Sequence, residues 1–504
     1  MKPTELRTVA LPALAVALPA LALYCATLMP DVGLWDTAEF QTVGPVLGIA
    51  HPTGYPAYTL LAWLASVVFA PLGNEAVRAN LLSAALVAGA AGLVTATVAR
   101  LTRRWPIAIG AGVALALSVE AWRVALHADP HALHIFLAAL LLLLLATWSE
   151  RVNAGEPADR WLIGAAAVFG VALANHGLTL LLAPGIGLML LVVQPSLLRR
   201  LRFVLTCAFV LAATTVMLYL YLPIRSAMNP PLDYANPQTW DGFRYLVFAE
   251  QFRGDFQYPP EAVTGLSFVA GTSLVQLGAI AVFAFVGVLA AWKRRTGLVV
   301  LLLAWLVVGW LFALVYVNAD IGRYYLVPLL ATAMLGALGA DGLWDWLSFR
   351  LAGMVLRAAA LIGVFALLLP LTFPFTGRYS AVDESHDTRG RDWLAAMVAE
   401  LPPNAVVVSW WGYSTTLWYG QYAEGLRPDV AVIDDSTRVQ HNLGSAIQVI
   451  EDNLGVRPVF LIRLSGDMAQ FEARYWLTPV PNIPSGDPVY RVDGRRDQGQ
   501  VPNL

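Results

Sequence analysis

The chain has 504 residues, 58% of them hydrophobic and 13% charged, with a formal net charge of −2. Soluble domains carry roughly 25% charged residues, so this composition and a mean hydropathy of +0.63 exclude an ordinary soluble protein. No basic run suggests a nucleic-acid partner, and the two cysteines, Cys25 and Cys207, sit inside apolar segments as small packing residues.

A helix needs about 20 mainly apolar residues to cross a bilayer. Eleven candidate spans follow in chain order: 9–29, 79–99, 106–124, 132–148, 161–174, 177–194, 203–222, 270–291, 297–316, 324–341 and 357–374. The first run is longer than the apolar region of a cleaved signal peptide, about 7–15 residues, so an uncleaved first span is expected, with a signal peptide as the alternative. A cytoplasmic N-terminus places Arg100, Arg103 and Arg104, Arg151 and Arg160, Arg199 to Arg202, Lys293 to Arg295, and Arg350 in inner loops, as the positive-inside rule expects. The apolar stretch 55–69 breaks that alternation if counted as a span, so it reads as a juxtamembrane or re-entrant helix.

Composition shifts near 376. In 377–504 a helix is expected at 389–401, strands at 405–410, 430–433 and 459–462, and helices at 414–423 and 445–453. Alternating strands and helices predict a soluble α/β domain with a mainly parallel sheet, facing outward after eleven crossings. The expected architecture is therefore a polytopic α-helical membrane protein over 1–376, with its first outer loop at 30–78, followed by an extracytoplasmic α/β domain over 377–504.

The outer loops hold the residues with chemistry. Asp36 and Glu39 stand three apart in Gly33-Leu34-Trp35-Asp36-Thr37-Ala38-Glu39-Phe40 and share a face if that loop is helical. Carboxylates beside lipid are costly, and a carboxylate can take a proton from an incoming hydroxyl. The alternative is that Asp36 caps a short helix. Next comes His51-Pro52-Thr53-Gly54-Tyr55-Pro56, a turn that would hold His51 and Tyr55 near Asp36. His127, Asp129, His131 and His134 form a second cluster, either a metal site or a helix cap with polar lining. His176 lies at the same membrane level. Outer arginines Arg123, Arg225, Arg244, Arg253, Arg323 and Arg378 run against the charge bias. Arg225 directly follows the seventh span, and Arg323, beside Tyr324, precedes the tenth. At that depth a guanidinium can bind a lipid phosphate bidentately or simply anchor among headgroups.

The segment Asp36-Thr37-Ala38-Glu39-Phe40, with Leu47-Gly48-Ile49-Ala50-His51-Pro52-Thr53-Gly54-Tyr55-Pro56, resembles a motif of the transmembrane O-mannosyltransferase-like family, within the C-type glycosyltransferase superfamily. Further matches are Asn175-His176, Leu222-Pro223-Ile224-Arg225-Ser226 with Asn229-Pro230, and the run from Trp418 to Val430. Trp35 and Thr53 depart from the family's Gly and Pro. Asp129-Pro130-His131 replaces a Glu-Val-Tyr.

The resemblance implies a C-type glycosyltransferase fold, an active site in the first outer loop and a lipid-phosphate sugar as donor; it does not fix the sugar or the acceptor. The leading reading is transfer of a sugar, mannose being the first candidate, from a polyprenyl-phosphate donor to a protein or glycan acceptor at the outer membrane face. Asp36 is then the expected base of an inverting reaction, with Glu39 assisting. His51, Tyr55, Asp129, His176, Arg225, Asn229, Arg323 and Tyr324 are the expected substrate-binding residues. No metal ligand is assigned, although Asp36, Glu39 and Asp129 leave room for a divalent cation between them. The competing reading is a polytopic transporter or flippase, which would distribute its polar residues along a path.

Overall fold

The computed structural model describes residues 3–257, 262–350, 353–355, 358, 375–484 and 486–498. Helix α1 (Pro3–Ala26) enters first and packs on α4 (Glu75–Thr102). Between them lie two shorter helices, α2 (Trp35–Val46) and α3 (Pro56–Val68), the latter where a juxtamembrane helix was expected. Then come α5 (Trp105–Ala116), α6 (Val119–Val124), α7 (Pro130–Asn153), α8 (Asp159–Leu173) and α9 (Ala183–Val193). Helices α10 (Leu201–Tyr219), α11 (Tyr221–Ser226), α12 (Trp240–Val247), α13 (Ala262–Leu277), α14 (Ala279–Ala291), α15 (Thr296–Val315) and α16 (Leu326–Arg350) complete the described bundle.

Among the described residues, six helices can cross a membrane by length and composition, or seven if the bent pair α13–α14 is one span. This differs from the eleven expected spans, and local breaks explain much of it. The expected span 106–124 is split because the Ser118 hydroxyl caps a new helix by accepting from the Ala121 N–H. The span 177–194 begins as a tight 3₁₀ turn, Gly177–Leu182. The span 270–291 bends by 115° at Gly278. The span 357–374 lies outside the described residues, apart from residue 358.

Helix α16 crosses α14 closely through Gly287, Gly336 and Gly339; a Cβ at any of the three would collide with backbone of the facing helix. That contact seats α16 and, with it, the preceding 3₁₀ turn Ile321–Tyr325 that carries Arg323.

Five strands form the C-terminal sheet: β1 (Val406–Ser409), β2 (Ala431–Ile433), β3 (Val459–Ile462), β4 (Tyr475–Pro479) and β5 (Val489–Arg495), in the order β2-β1-β3-β5-β4. β1 runs parallel to β2 and β3, whereas β5 is antiparallel to β3 and β4. All residues of β1 and β3 are buried, as apolar runs in a covered parallel sheet should be. The β4–β5 hairpin was not expected, because its strands are half exposed and mix polar with apolar residues.

The sheet unit rests on the first loop of the bundle. The helix Trp411–Trp418 packs on α2, and Arg391 on the helix Arg389–Glu400 donates to Asp31 at 2.7 Å while pairing with Glu424. The Thr416 hydroxyl donates to the Gly33 carbonyl at 3.1 Å.

Candidate active site

The loop before α2 is held by a buried amide pair. Gln41 accepts from the Gly33 N–H at 2.9 Å and donates to Asn80 at 3.0 Å. Asn80 donates in turn to the Met29 carbonyl and accepts from the Ala128 N–H, so one α4 side chain ties the loops before α2 and α7 together. Helix α2 starts at Leu34 without a side-chain cap. The alternative role of Asp36 as a capping residue is therefore not observed; its carboxylate sits inside the first turn, where the helix dipole favours negative charge.

Asp36 and Glu39 do share a face, but they differ in access. The Asp36 side chain is 34% exposed and that of Glu39 is 3% exposed. Glu39 accepts from the His51 N–H at 2.9 Å and pairs with the His51 imidazole Nδ1. Burial alone would lower the His51 pKa, but the Glu39 carboxylate outweighs it and the net shift is upward. The turn carrying His51 is pinned elsewhere as well: Ile49 donates to the Leu232 carbonyl at 2.8 Å, and Gly54 adopts φ +80°, a conformation natural to glycine. The Tyr55 hydroxyl lies 3.3 Å from His51 Nε2, and the Phe40 ring meets Tyr55 edge-on.

Arg323 supplies the charge opposite Asp36. Its Nη1 is 3.3 Å from Asp36 Oδ2 and 3.6 Å from Asp129 Oδ2, and its Nη2 donates to Asp320 at 2.5 Å. Asp129 also accepts from the backbone N–H of His131 and approaches His131 Nδ1 at 2.8 Å, capping α7. Burial would raise the Asp129 carboxyl, but His131 and Arg323 outweigh it and hold the group well below the usual carboxylate range. The room left for a divalent cation between Asp36, Glu39 and Asp129 is thus taken by a guanidinium, and Glu39 faces His51 instead. Among the described residues, no group of three or more His, Cys, Asp or Glu could hold a metal ion.

Two cavities meet at the Asp36–Arg323 pair. One, of 670 Å³, is walled by His51, Tyr55, His176 and Tyr324, together with aromatic rings such as Phe252 and Phe312. The other, of 780 Å³, is more polar at its rim, with Glu120, Arg123, His127, Asp129 and Glu384. His176 caps the turn that follows it by accepting from the Leu178 N–H through Nδ1, which leaves Nε2 as the N–H of a neutral ring. Burial and the neighbouring His131 and His134 push its pKa down, in keeping with that form. His127, in contrast, is raised: burial opposes its charge, but Glu384 at 3.0 Å prevails.

Two expected binding residues stand outside both cavities. Arg225 donates from Nε to the Leu47 carbonyl at 2.7 Å and from Nη2 to the Val46 carbonyl at 3.0 Å, so it caps the C-terminus of α2, with Nη1 beside the Met228 sulfur. Asn229 is an exposed turn residue with φ 50°. Arg378 is likewise spent on the carbonyls of Leu117 and Gln276, and Arg244 pairs with Glu250. Sequence reading missed Trp411, Asp435 and Ser436, which the sheet unit contributes to the aromatic cavity. Among the described residues, the Trp411 indole Nε1 and His131 Nε2 are buried without a hydrogen-bond partner, a sign that the cavity is shaped for a polar group. Only the doubled tryptophan at 410–411 could have drawn attention to Trp411.

The architecture is that of the C-type membrane glycosyltransferases. ArnT from Cupriavidus metallidurans, solved bound to undecaprenyl phosphate, superposes with a TM-score of 0.65 at 13% identity, over 95% of this chain and 97% of that one. AglB from Archaeoglobus fulgidus, an archaeal oligosaccharyltransferase solved with an inhibitory peptide and a dolichol-phosphate, gives 0.56 at 14% identity, over 94% and 74% of the two chains. The stretch 36–198, which carries Asp36, His51 and His176, matches the family model described as the protein O-mannosyl-transferase TMEM260 N-terminal domain. Mouse (Mus musculus) protein O-mannosyl-transferase TMEM260 is 27% identical over 437 residues, covering 82% of this chain. The chain spans 61% of the length of that relative.

Proposed function

We propose that this multi-pass membrane protein transfers a sugar, mannose being the first candidate, from a polyprenyl-phosphate donor to an acceptor hydroxyl at the extracytoplasmic face. The observation that carries this reading is Asp36, a reachable carboxylate at the meeting point of two cavities with Arg323 beside it. The names of the relatives support it: one is a protein O-mannosyl-transferase, and two of the similar structures hold undecaprenyl phosphate or dolichol-phosphate.

The aromatic cavity suits the polyprenyl-phosphate sugar, since rings can stack on both a sugar and an isoprene unit. The more polar cavity suits the acceptor, a protein or a glycan. Asp36 takes the acceptor hydroxyl proton while that oxygen attacks the anomeric carbon from the side away from the phosphate. The bond between that carbon and the phosphate oxygen breaks, and its electron pair leaves with the polyprenyl phosphate. Attack from the far side inverts the anomeric configuration. Charge growing on the phosphate is stabilised by Arg323, whose guanidinium turns part of its hydrogen bonding from the aspartates to the phosphate. Asp129 and Asp320 hold that guanidinium in place meanwhile. Glu39 acts at one remove by fixing His51, whereas His51, Tyr55, His176 and Tyr324 line the donor side. The arginine-rich loops at the other end of α4 and α7 support the extracytoplasmic placement.

The test is Asp36→Asn, assayed in nanodiscs with polyprenyl-phosphate mannose. Loss of at least about 10²-fold in transfer is expected, the lower bound for a general base. Near-normal transfer removes Asp36 from the role. Uptake of substrate into proteoliposomes without sugar transfer would favour the transporter reading instead.

A further inference from the structure

At the opposite end of the bundle lies a cavity of 670 Å³ that shares no residue with the Asp36 site. It is walled by the C-terminal ends of α4 and α7 and by the start of α15, with Arg100, Arg103, Arg151 and Arg295 facing Glu150 and Glu156. Helices α4 and α7 begin beside the Asp36 loops and have 28 and 24 residues. At 1.5 Å per residue they carry the chain about 42 and about 36 Å away, more than the roughly 30 Å of a hydrocarbon core. The cavity therefore opens at the membrane face opposite Asp36.

Its arginines are not scattered anchors. Arg100 Nε is held 2.7 Å from Glu150, and Arg151 Nη1 3.0 Å from Glu156. Arg295 is fixed by donating to the Leu101 carbonyl at the end of α4. These contacts orient three guanidinium groups around one hollow and still leave cationic capacity unspent. Arg151 Nε is buried without a hydrogen-bond partner, and the exposed Arg103 side chain makes no hydrogen bond or ion pair among the described residues. Four arginines face two glutamates, and Arg295 Nη1 also stands 3.9 Å from Asp341, so positive charge remains in excess. Trp105, 41% exposed, stands at the rim with its indole N–H donated to the Thr8 carbonyl, the amphipathic placement expected at a headgroup level.

We propose that this cavity binds a phosphate group, and specifically the headgroup of an anionic phospholipid from the leaflet opposite the Asp36 site. Guanidinium groups recognise phosphate oxygens in pairs, and basic pockets between membrane helices capture anionic headgroups. A bound diester would complete the Arg103 and Arg151 hydrogen bonding and tie α4, α7 and α15 together at one end. The proposal is independent of the reaction at Asp36.

Native mass spectrometry of the full chain released from nanodiscs tests it, comparing phosphatidylglycerol with phosphatidylcholine. The chain should retain phosphatidylglycerol selectively. Arg103→Gln, at an exposed unpaired position, should weaken retention about five-fold, and adding Arg151→Gln should weaken it by about the same factor again. Inorganic phosphate at millimolar concentration should leave the lipid in place; displacement by it would assign the site to a soluble phosphate compound and overturn the lipid source. Equal retention of the two lipids, or unchanged phosphatidylglycerol retention in the Arg103→Gln protein, overturns the site altogether. The melting temperature of each variant in phosphatidylcholine nanodiscs separates lost binding from lost folding.

Discussion

Arg225 and Arg323 occupy matching places in the chain, one just after an apolar span and one just before another, yet their surroundings make them different groups. Arg225 is spent on two backbone carbonyls at the end of α2. Arg323 lies among three aspartates at the junction of two cavities, its side chain 14% exposed. A helix end needs a donor, and any guanidinium nearby can serve. A cage of carboxylates needs a full counter-charge, because removing it leaves anions buried. One arginine therefore holds the end of α2, while the other is the one proposed to meet a phosphate.

The widest separation should come from the acid partner. Asp36→Asn is expected to cut transfer by about 10²–10⁴-fold, read as kcat in a single-turnover assay with the chain still folded. Arg323→Gln should follow, with a loss of about 10²–10³-fold concentrated in kcat; a change confined to KM would make Arg323 a docking group only. Arg225→Gln, in contrast, should cost about 1–2 kcal/mol of stability and change kcat less than ten-fold. If it matched Arg323→Gln in kcat, the contrast between the two arginines would collapse.

Glu39→Gln probes the support beneath Asp36 and should lower stability by about 1–3 kcal/mol. Because Glu39 raises the His51 pKa, this part of the stability is fully present below the unfolded histidine pKa of about 6.5. It is lost as pH rises through the folded value. Melting curves of the two proteins should therefore differ most at pH 5–6.5 and converge at higher pH. A constant gap would mean that the pair acts only through packing.

Much of the site could be read from residue type and loop position. Asp36, His51, Tyr55, His176, Arg323 and Tyr324 were all singled out, and all line one cavity. The failures have a shared cause. Arg225 and Asn229 stand in a motif that matches the family, but a motif does not say which backbone carbonyls lie nearby. Trp411, Asp435 and Ser436 come from nearly 400 residues further along the chain, and only packing of the sheet unit on α2 brings them to the cavity. The helix breaks at Ser118 and Gly278 were hidden because hydropathy averages over a window, whereas a cap or a left-handed glycine acts at one residue.

The amino-acid sequence by itself determined that this is a membrane protein with its charged groups gathered in the loops, because burying apolar runs in lipid and keeping charge out of it leaves few other arrangements. It also set the buried strands β1 and β3, whose apolar runs suit nothing but a covered sheet. Tertiary structure decided what each charge does. Asp36 and Glu39 are alike in type and three residues apart, but one opens onto two cavities and the other is buried against His51. Solvent access and the nearest opposite charge set the chemistry of a carboxylate, and both depend on distant segments that meet only in the folded chain.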